Sequence, residues 1–394
     1  MQDKPDFLDV KILEGLGKYG PRNIVEVARK LGIPRGTVLS RIKRMSSLFY
    51  LRMSANIYHT NLGLKKGVVF AEATPGFEEL LFNCMQANEF YIYLSRCYGR
   101  FEGCLGVYVI PNGKEASFNQ FVQEMEKLGV ARKIEVYWST CFHTVNRTSK
   151  WFDPQSQTWV FPWDEWMHAC MHDEIQTERT ELPSTLVDPK DFPMKVDEID
   201  LFIMKEVEKD ATIRLTDIAK KLHVSLPRVK YHYERHVIGL GLIECFQIFV
   251  FPFDRDESDM FYFRFEFSDG EKMAKFSLAL LDKPFVNAVG KVLGKNAILA
   301  NLYLPKLEFR RFIDSLSKLI RSGFLQGYDY IIQDLRNVPK TWSRETIPFE
   351  FFKDGAWVYD HQKHIKNLRD MVKENILLSK CDGPNMVAKS LHTS

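Results

Sequence analysis

The 394-residue chain has no uninterrupted apolar run approaching the ~18–20 residues that a bilayer crossing requires. Its opening, MQDKPDFLDV, lacks the basic-then-apolar order of a secretory leader. Cysteine is sparse: seven residues, odd in number and scattered, argue for a reducing interior rather than a disulfide framework. A cytoplasmic location is expected, with no membrane partner. No glycine-rich phosphate loop, HExxH or nucleophile elbow occurs, so neither catalytic activity nor a cofactor is expected. An excess of one charge is missing too. The 54 Lys and Arg against 51 Asp and Glu leave a net +3, which excludes a uniformly basic coat. Charge is segregated instead: residues 1–64 hold 11 basic against 5 acidic side chains, and residues 151–200 hold 3 against 12. A basic module joined to an acidic connector fits a polyanion at one place.

Residues 196–236 carry the most informative pattern that is present. Ile199, Phe202, Ile203 and Val207, then Leu215, Ile218, Ala219 and Leu222, recur at helical spacing. A break at His223-Val224-Ser225 follows, with Ser225 suited to cap a third helix. That helix would bury Val229, Tyr233 and Val237 and show Arg228, Lys230, Tyr231, His232 and Arg235. Two short helices joined by a tight turn, the second with a basic outer face, make a helix-turn-helix. Moving residues 200–235 back by 191 positions lays them on 9–44 without a gap. Asp200 falls on Asp9, Ile203 on Ile12, Ala219 on Ala28, Val229 on Val38 and Arg235 on Arg44. Two copies of one motif at this spacing imply a duplicated architecture. In the first copy the third helix would bury Val38, Ile42 and Met45 and present Arg35, Thr37, Ser40, Arg41 and Arg44. The following YLRMSANIYHT, with Arg52, reads as a short wing hairpin. A solvated three-helix bundle is the bland alternative for either copy, and the recurrence of a basic third helix favours DNA.

After each triad the texture changes. VVFAEAT, EFYIYLSRC, CLGVYVI and KIEVYWS read as strands, with helices over 75–87 and along Phe118, Phe121, Val122, Met125 and Leu128. The second half repeats the order, starting from MFYFRFEFS, where Phe261, Phe263, Phe265 and Phe267 share one face. The order βαββαβ is the ferredoxin-like unit, whose two helices cover one sheet face and leave the other to a partner.

Each half therefore resembles a member of the Lrp/AsnC (feast/famine) family of transcription regulators. The residues that carry the resemblance are VDEIDLFIM at 196–204, DIAKKLHVSLPRV and EVARKLGIPRGTVLSRI. The resemblance implies an α+β fold class: tandem winged helix-turn-helix domains, each followed by a ferredoxin-like βαββαβ domain. The expected bounds are 1–64 and 65–146 for the first pair, and 196–255 and 256–337 for the second. An aromatic appendage and acidic linker occupy 147–195, a second appendage with a C-terminal helix 338–380, and a disordered tail 381–394. The implied function is sequence-specific regulation of transcription on double-stranded DNA, archaeal-like in style, with two non-identical reading heads. Arg35, Thr37, Ser40 and Arg41, and Arg228, Lys230, Tyr231 and His232, would face bases or phosphates. Arg44, Arg235 and Arg52 would touch the backbone. The family's Gly-x-x-Asp effector signature is replaced by GRFEG and GKNAI, so a small-molecule effector is not carried over.

A homodimer through the ferredoxin-like domains is expected, because the Phe261–Phe267 row is too apolar to leave solvated. The appendages, in which Trp166 falls on Trp357, are expected to staple onto a neighbouring domain. His168, Cys170 and His172 have metal-like spacing but lack a fourth ligand, so no metal is expected. Two alternatives to the regulator remain: an architectural, chromatin-like DNA binder, and a haem-pathway decarboxylase on an Lrp-like fold, for which His143 and Arg147 would be the candidates.

Overall fold

The computed structural model describes residues 4–171, 181–251, 253, 256–335 and 346–381. The tail beyond residue 381, the start of the acidic linker and His172 lie outside them. No described helix is long and apolar enough to cross a membrane.

The chain opens with three helices, α1 (Phe7–Tyr19), α2 (Ile24–Leu31) and α3 (Arg35–Leu48). Asp6 caps α1 in a capping box with Asp9. The turn after α2 closes through left-handed Gly32. Ile12, Leu13, Leu16, Val27, Val38 and Met45 form the small core between these helices. Strand β1 (Arg52–Ile57) follows, then β2 (Leu64–Ala73), α4 (Glu78–Met85), β3 (Tyr91–Gly99), β4 (Gly103–Pro111), α5 (Glu115–Lys127) and β5 (Ala131–Ser139). The two-residue strand β6 (His143–Thr144), the small hairpin β7 (Phe152–Asp153) and β8 (Thr158–Trp159), and helix α6 (Trp163–Met171) complete this part.

The same order of elements then recurs. Helices α7 (Glu198–Lys209), α8 (Leu215–Leu222) and α9 (Leu226–Tyr231) make the second triad, and α9 passes into a π-helical turn over His232–Ile238. Asp197 and Asp200 repeat the capping box, and His223 takes the left-handed place of Gly32. Strands β9 (Ile243–Phe249) and β10 (Ser258–Glu266), helix α10 (Gly270–Leu280), strands β11 (Val286–Lys291) and β12 (Ala297–Pro305), helix α11 (Lys306–Arg321) and strand β13 (Gly327–Gln333) follow. A second small hairpin, β14 (Phe352–Lys353) and β15 (Ala356–Trp357), precedes the C-terminal helix His361–Cys381.

Each four-stranded unit has its first strand between the last and the third, in the orders β5-β2-β4-β3 and β13-β10-β12-β11. The two units do not stay apart. Strand β3 pairs antiparallel with β13 through Tyr98 opposite Ile332, and β6 adds to β11, giving one nine-stranded sheet. Ser139 also bridges Val292 at the far side, so the sheet curls until the end of β5 meets the end of β11. The edges that a four-stranded unit leaves open are thereby paired inside one chain.

The side-chain alternation of β10 corrects the role given to its phenylalanines. Phe261, Phe263, Phe265 and Phe267 lie against Phe276 of α10 and Phe312 of α11 and never reach the inter-unit face. The opposite set reaches it: Tyr262 packs with Val68, Phe70, Leu105, Leu299 and Ile331 between the two four-stranded units. Both faces are covered without a second chain.

Two further expectations change. YLRMSANIYHT does not fold back as a wing hairpin. Its strand β1 pairs with β9, the equivalent strand of the other triad. Ala55 sits opposite Phe246, 191 positions on, so the pair has a local two-fold at that point. The appendages also cross over. Trp166 is fully buried against Phe276, Phe285 and Phe312 of the second unit. Trp357 and Tyr359 pack on Phe90 of the first unit, and the Trp357 indole donates to the Leu62 carbonyl at 2.7 Å. One such buried tryptophan contributes on the order of 2–3 kcal/mol, so each half holds the other. The described part of the linker is docked as well. Leu186 is buried, and Asp188 accepts from the Lys291 ammonium at 2.9 Å.

Candidate functional site

Two places gather chemistry: the third helices of the triads, and a cavity where the halves meet.

In the first triad the side chains divide by exposure. Arg35 and Ser40 stand exposed, together with Lys43, and Thr37 is half-buried. Arg41 and Arg44 turn back onto their own fold. Arg41 donates to Asp6 and, at 3.2 Å, to Asp9, while Arg44 donates to the other oxygen of Asp9. Asp9 is completely buried, so its charge is paid off by these two guanidiniums. Burial would raise the Asp6 carboxyl, but the Asp9 amide and Arg41 outweigh it and hold it below its ordinary value. Neither arginine is a free probe for DNA.

In the second triad Arg228, Lys230, Tyr231 and Arg235 are exposed. His232 is buried, with Nδ1 at 2.9 Å from Asp200, and cannot reach a base from there. It stands where Arg41 stands in the first triad, so the structure corrects its placement among the reading residues. Arg52 is corrected as well: because β1 pairs with β9 instead of forming a wing, Arg52 lines the central cavity.

That cavity, of about 310 Å³, lies beneath the β1–β9 pair and between the two four-stranded units. Both halves supply its wall, with Arg52, Asn56, His59, Lys66 and Tyr93 from the first and Glu208, Gln247, Tyr262, Asn287, Asn301 and Gln333 from the second. Some of these amides and phenols are tied together: Tyr93 donates to Gln333 at 2.6 Å and Asn287 to Asn301 at 2.8 Å. Arg147 is buried beside the cavity and donates to Asn287 at 3.2 Å; burial lowers its guanidinium to about 10. His143 pairs with Glu244 at 2.8 Å.

Two groups in the wall, His59 and Lys66, are buried, and a third, Glu208, is half-buried. His59 is 2% exposed and neither ring nitrogen has a hydrogen-bond partner. Desolvation, aided by the Lys66 charge, depresses it well below the usual histidine range. Lys66 is buried with its ammonium 4.7 Å from the centre of the Phe142 ring, and desolvation lowers it against the pull of Cys141, Glu208 and Glu244. Desolvation pushes Glu208 up to about 8, although the Ile347 amide at 2.8 Å and Lys66 favour its charge. A neutral imidazole, a buried ammonium and a carboxyl able to keep its proton can bind an anionic ligand and move a proton to or from it.

None of these three was singled out in the sequence. Lys66 had a signal, since it falls on the inward face of β2 with Val68 and Phe70 at steps of two. His59 and Glu208 had none, because the cavity forms only when the halves close.

Of the His168, Cys170 and His172 set, His172 lies outside the described residues. Cys170 is buried in α6, and desolvation holds its thiol far above the usual range.

Among known families, a winged helix-turn-helix DNA-binding model matches residues 196–235. A DNA-binding type of domain is therefore present, together with the mixed α/β remainder. No curated protein matches the chain. Among solved structures, the siroheme decarboxylase NirDL is 10% identical, with 93% of this chain and 99% of that one covered at a TM-score of 0.49. Its complex with an iron-uroporphyrin III analogue is 9% identical, with 94% and 100% covered at 0.48. An AsnC family transcriptional regulator from Agrobacterium tumefaciens is 17% identical, with 34% and 89% covered at 0.28. The expectation that the chain is not an enzyme is withdrawn, because full-length likeness to a protein named a decarboxylase conflicts with it.

Proposed function

We propose that this chain regulates transcription by binding DNA through two unlike heads fused in one polypeptide, a duplicated Lrp/AsnC-type unit. The β1–β9 pairing carries this reading. It fixes the two triads about a local two-fold inside one chain, the relation that two-headed DNA readers use to place their third helices in successive grooves. Arg35, Ser40 and Lys43 form one reading set, and Arg228, Lys230 and Tyr231 the other. Selection of bound sites from random double-stranded DNA tests it. The expected product is a site with two unlike half-sites. Binding with a steep salt dependence and no sequence preference would favour an architectural role instead.

The cavity favours a second reading, in which the central site binds and transforms a carboxylate-bearing small molecule. Its support is the buried, unpartnered His59 beside Lys66 and Glu208. Lys66 and Arg52 would hold the carboxylate, while Glu208 and His59 would exchange the proton. Iron-uroporphyrin III, a polycarboxylate, is a suitable probe. Saturable binding that Lys66→Met weakens supports this reading, and turnover in the same assay establishes an enzyme.

A further inference from the structure

We propose that Asp197, Asp200, His232 and His236 form a binding site for a divalent transition metal of the zinc class in the second triad. Their ligand atoms all lie within 4.8 Å of one another. His232 Nδ1 is 2.9 Å from Asp200 and 3.6 Å from Asp197, and His236 Nδ1 is 3.1 Å from Asp200. A tetrahedron with bonds of ~2.0–2.1 Å has donor–donor edges of about 3.3 Å, which these separations bracket. Two imidazoles with two carboxylate oxygens suit zinc, cobalt or nickel over magnesium or calcium.

The first triad supplies an independent argument. The equivalent positions there hold Asp6, Asp9, Arg41 and Met45. The same two acids meet a built-in cation, Arg41, reinforced by Arg44. In the second triad Arg235, the equivalent of Arg44, is exposed and among the described residues pairs with neither acid. The acids therefore face imidazoles where a positive charge stands in the other copy. A cation is tolerated at this helix start despite the positive end of the helix dipole, as Arg41 demonstrates.

Backbone geometry completes the site. The π-helical turn over His232–Ile238 stacks residues four apart more nearly on one line than an α-helix does, and the two rings come within 4.8 Å centre to centre. The carboxylates are pre-oriented: Asp197 accepts from the amides of Ile199 and Asp200, and Asp200 accepts from the amide of Asp197. Asp200 is buried, whereas Asp197 and His236 reach the surface and give the ion a way in. A metal here would tie the third helix to α7 and make reading by the second head metal-dependent. That consequence rests on the DNA-binding reading; the site itself does not.

The test is titration of the full chain with Co²⁺, followed by the visible bands of the tetrahedral ion, with Zn²⁺ stoichiometry from equilibrium dialysis. One equivalent per chain is expected. His236→Gln and Asp197→Asn should each weaken binding by at least the roughly 10–100-fold that loss of an outer-shell partner costs, and His168→Ala should leave it unchanged. His232→Arg, which copies the first triad, should fold without metal and lose the cobalt spectrum. No stoichiometric binding by the wild-type chain overturns the proposal. So does binding that the His236 and Asp197 variants leave intact, or that the His168 variant abolishes.

Discussion

The two triads solve one problem in two ways. Both begin with an aspartate capping box, and in both the second acid, Asp9 or Asp200, is buried beneath the third helix. The first answers with two arginines from α3, the second with two histidines on a π-helical turn. Position 17 or 208, near the end of the opening helix, also differs. In the first triad it is Gly17, where an added Cβ would stand a tight 3.0 Å from the Asn146 side chain. In the second it is Glu208, which reaches the cavity. Equivalent scaffolds thus carry unlike polar cargo, and the exposed cations alone do not describe what each head can do.

The largest effect is expected from the buried acids. Asp9→Ala strands two guanidiniums and should destabilise the chain by about 3 kcal/mol in urea unfolding. Asp200→Ala in metal-free protein removes the partner of two imidazoles and should cost about 1–2 kcal/mol. Equal losses would break the comparison, because they would mean that arginines and histidines hold the buried acid equally well.

The Glu208 carboxyl gives the next effect. Its folded value is raised, so the stability it contributes is complete below the ordinary 4.5 and lost as the pH rises through about 8. Glu208→Gln should flatten that fall, raising stability at pH 9 relative to the parent by about 2 kcal/mol once its partial exposure is allowed for. Gly17 has no counterpart to titrate. Unfolding curves at pH 5 and pH 9 whose difference the substitution leaves unaltered would show that Glu208 is solvated.

Reading by the heads should be separable. Arg35→Ala should cost about 1–3 kcal/mol at one half-site, and Arg228→Ala a similar amount at the other. Binding to sites with each half randomised in turn measures this, and equal shifts at the same base positions would sink the idea of two readers. The smallest effect concerns Arg52. Since it lines the cavity, Arg52→Ala should leave the salt slope of DNA binding unchanged, whereas Lys43→Ala should lower it by about one.

Local periodicity determined much of this protein. The helical steps in 7–48 and 198–231, the strand alternation and the two βαββαβ orders are properties of short stretches, and each element forms within a few residues of where its pattern lies. The exposed reading candidates Arg35, Ser40, Arg228, Lys230, Tyr231 and Arg235 followed from the same periodicity. Tertiary structure decided what faces what. Whether β1 folds back or pairs with β9 depends on a strand 191 positions away. Period-two alternation says that Phe261 and Tyr262 face opposite ways, but not which of them meets helices and which meets a sheet. Arg41, Arg44 and His232 look solvent-bound on a helical wheel, yet the buried acid from the opening helix draws them inward. The cavity is the extreme case. Glu208 lies far along the chain from His59 and Lys66, and it meets them only once the two halves have closed.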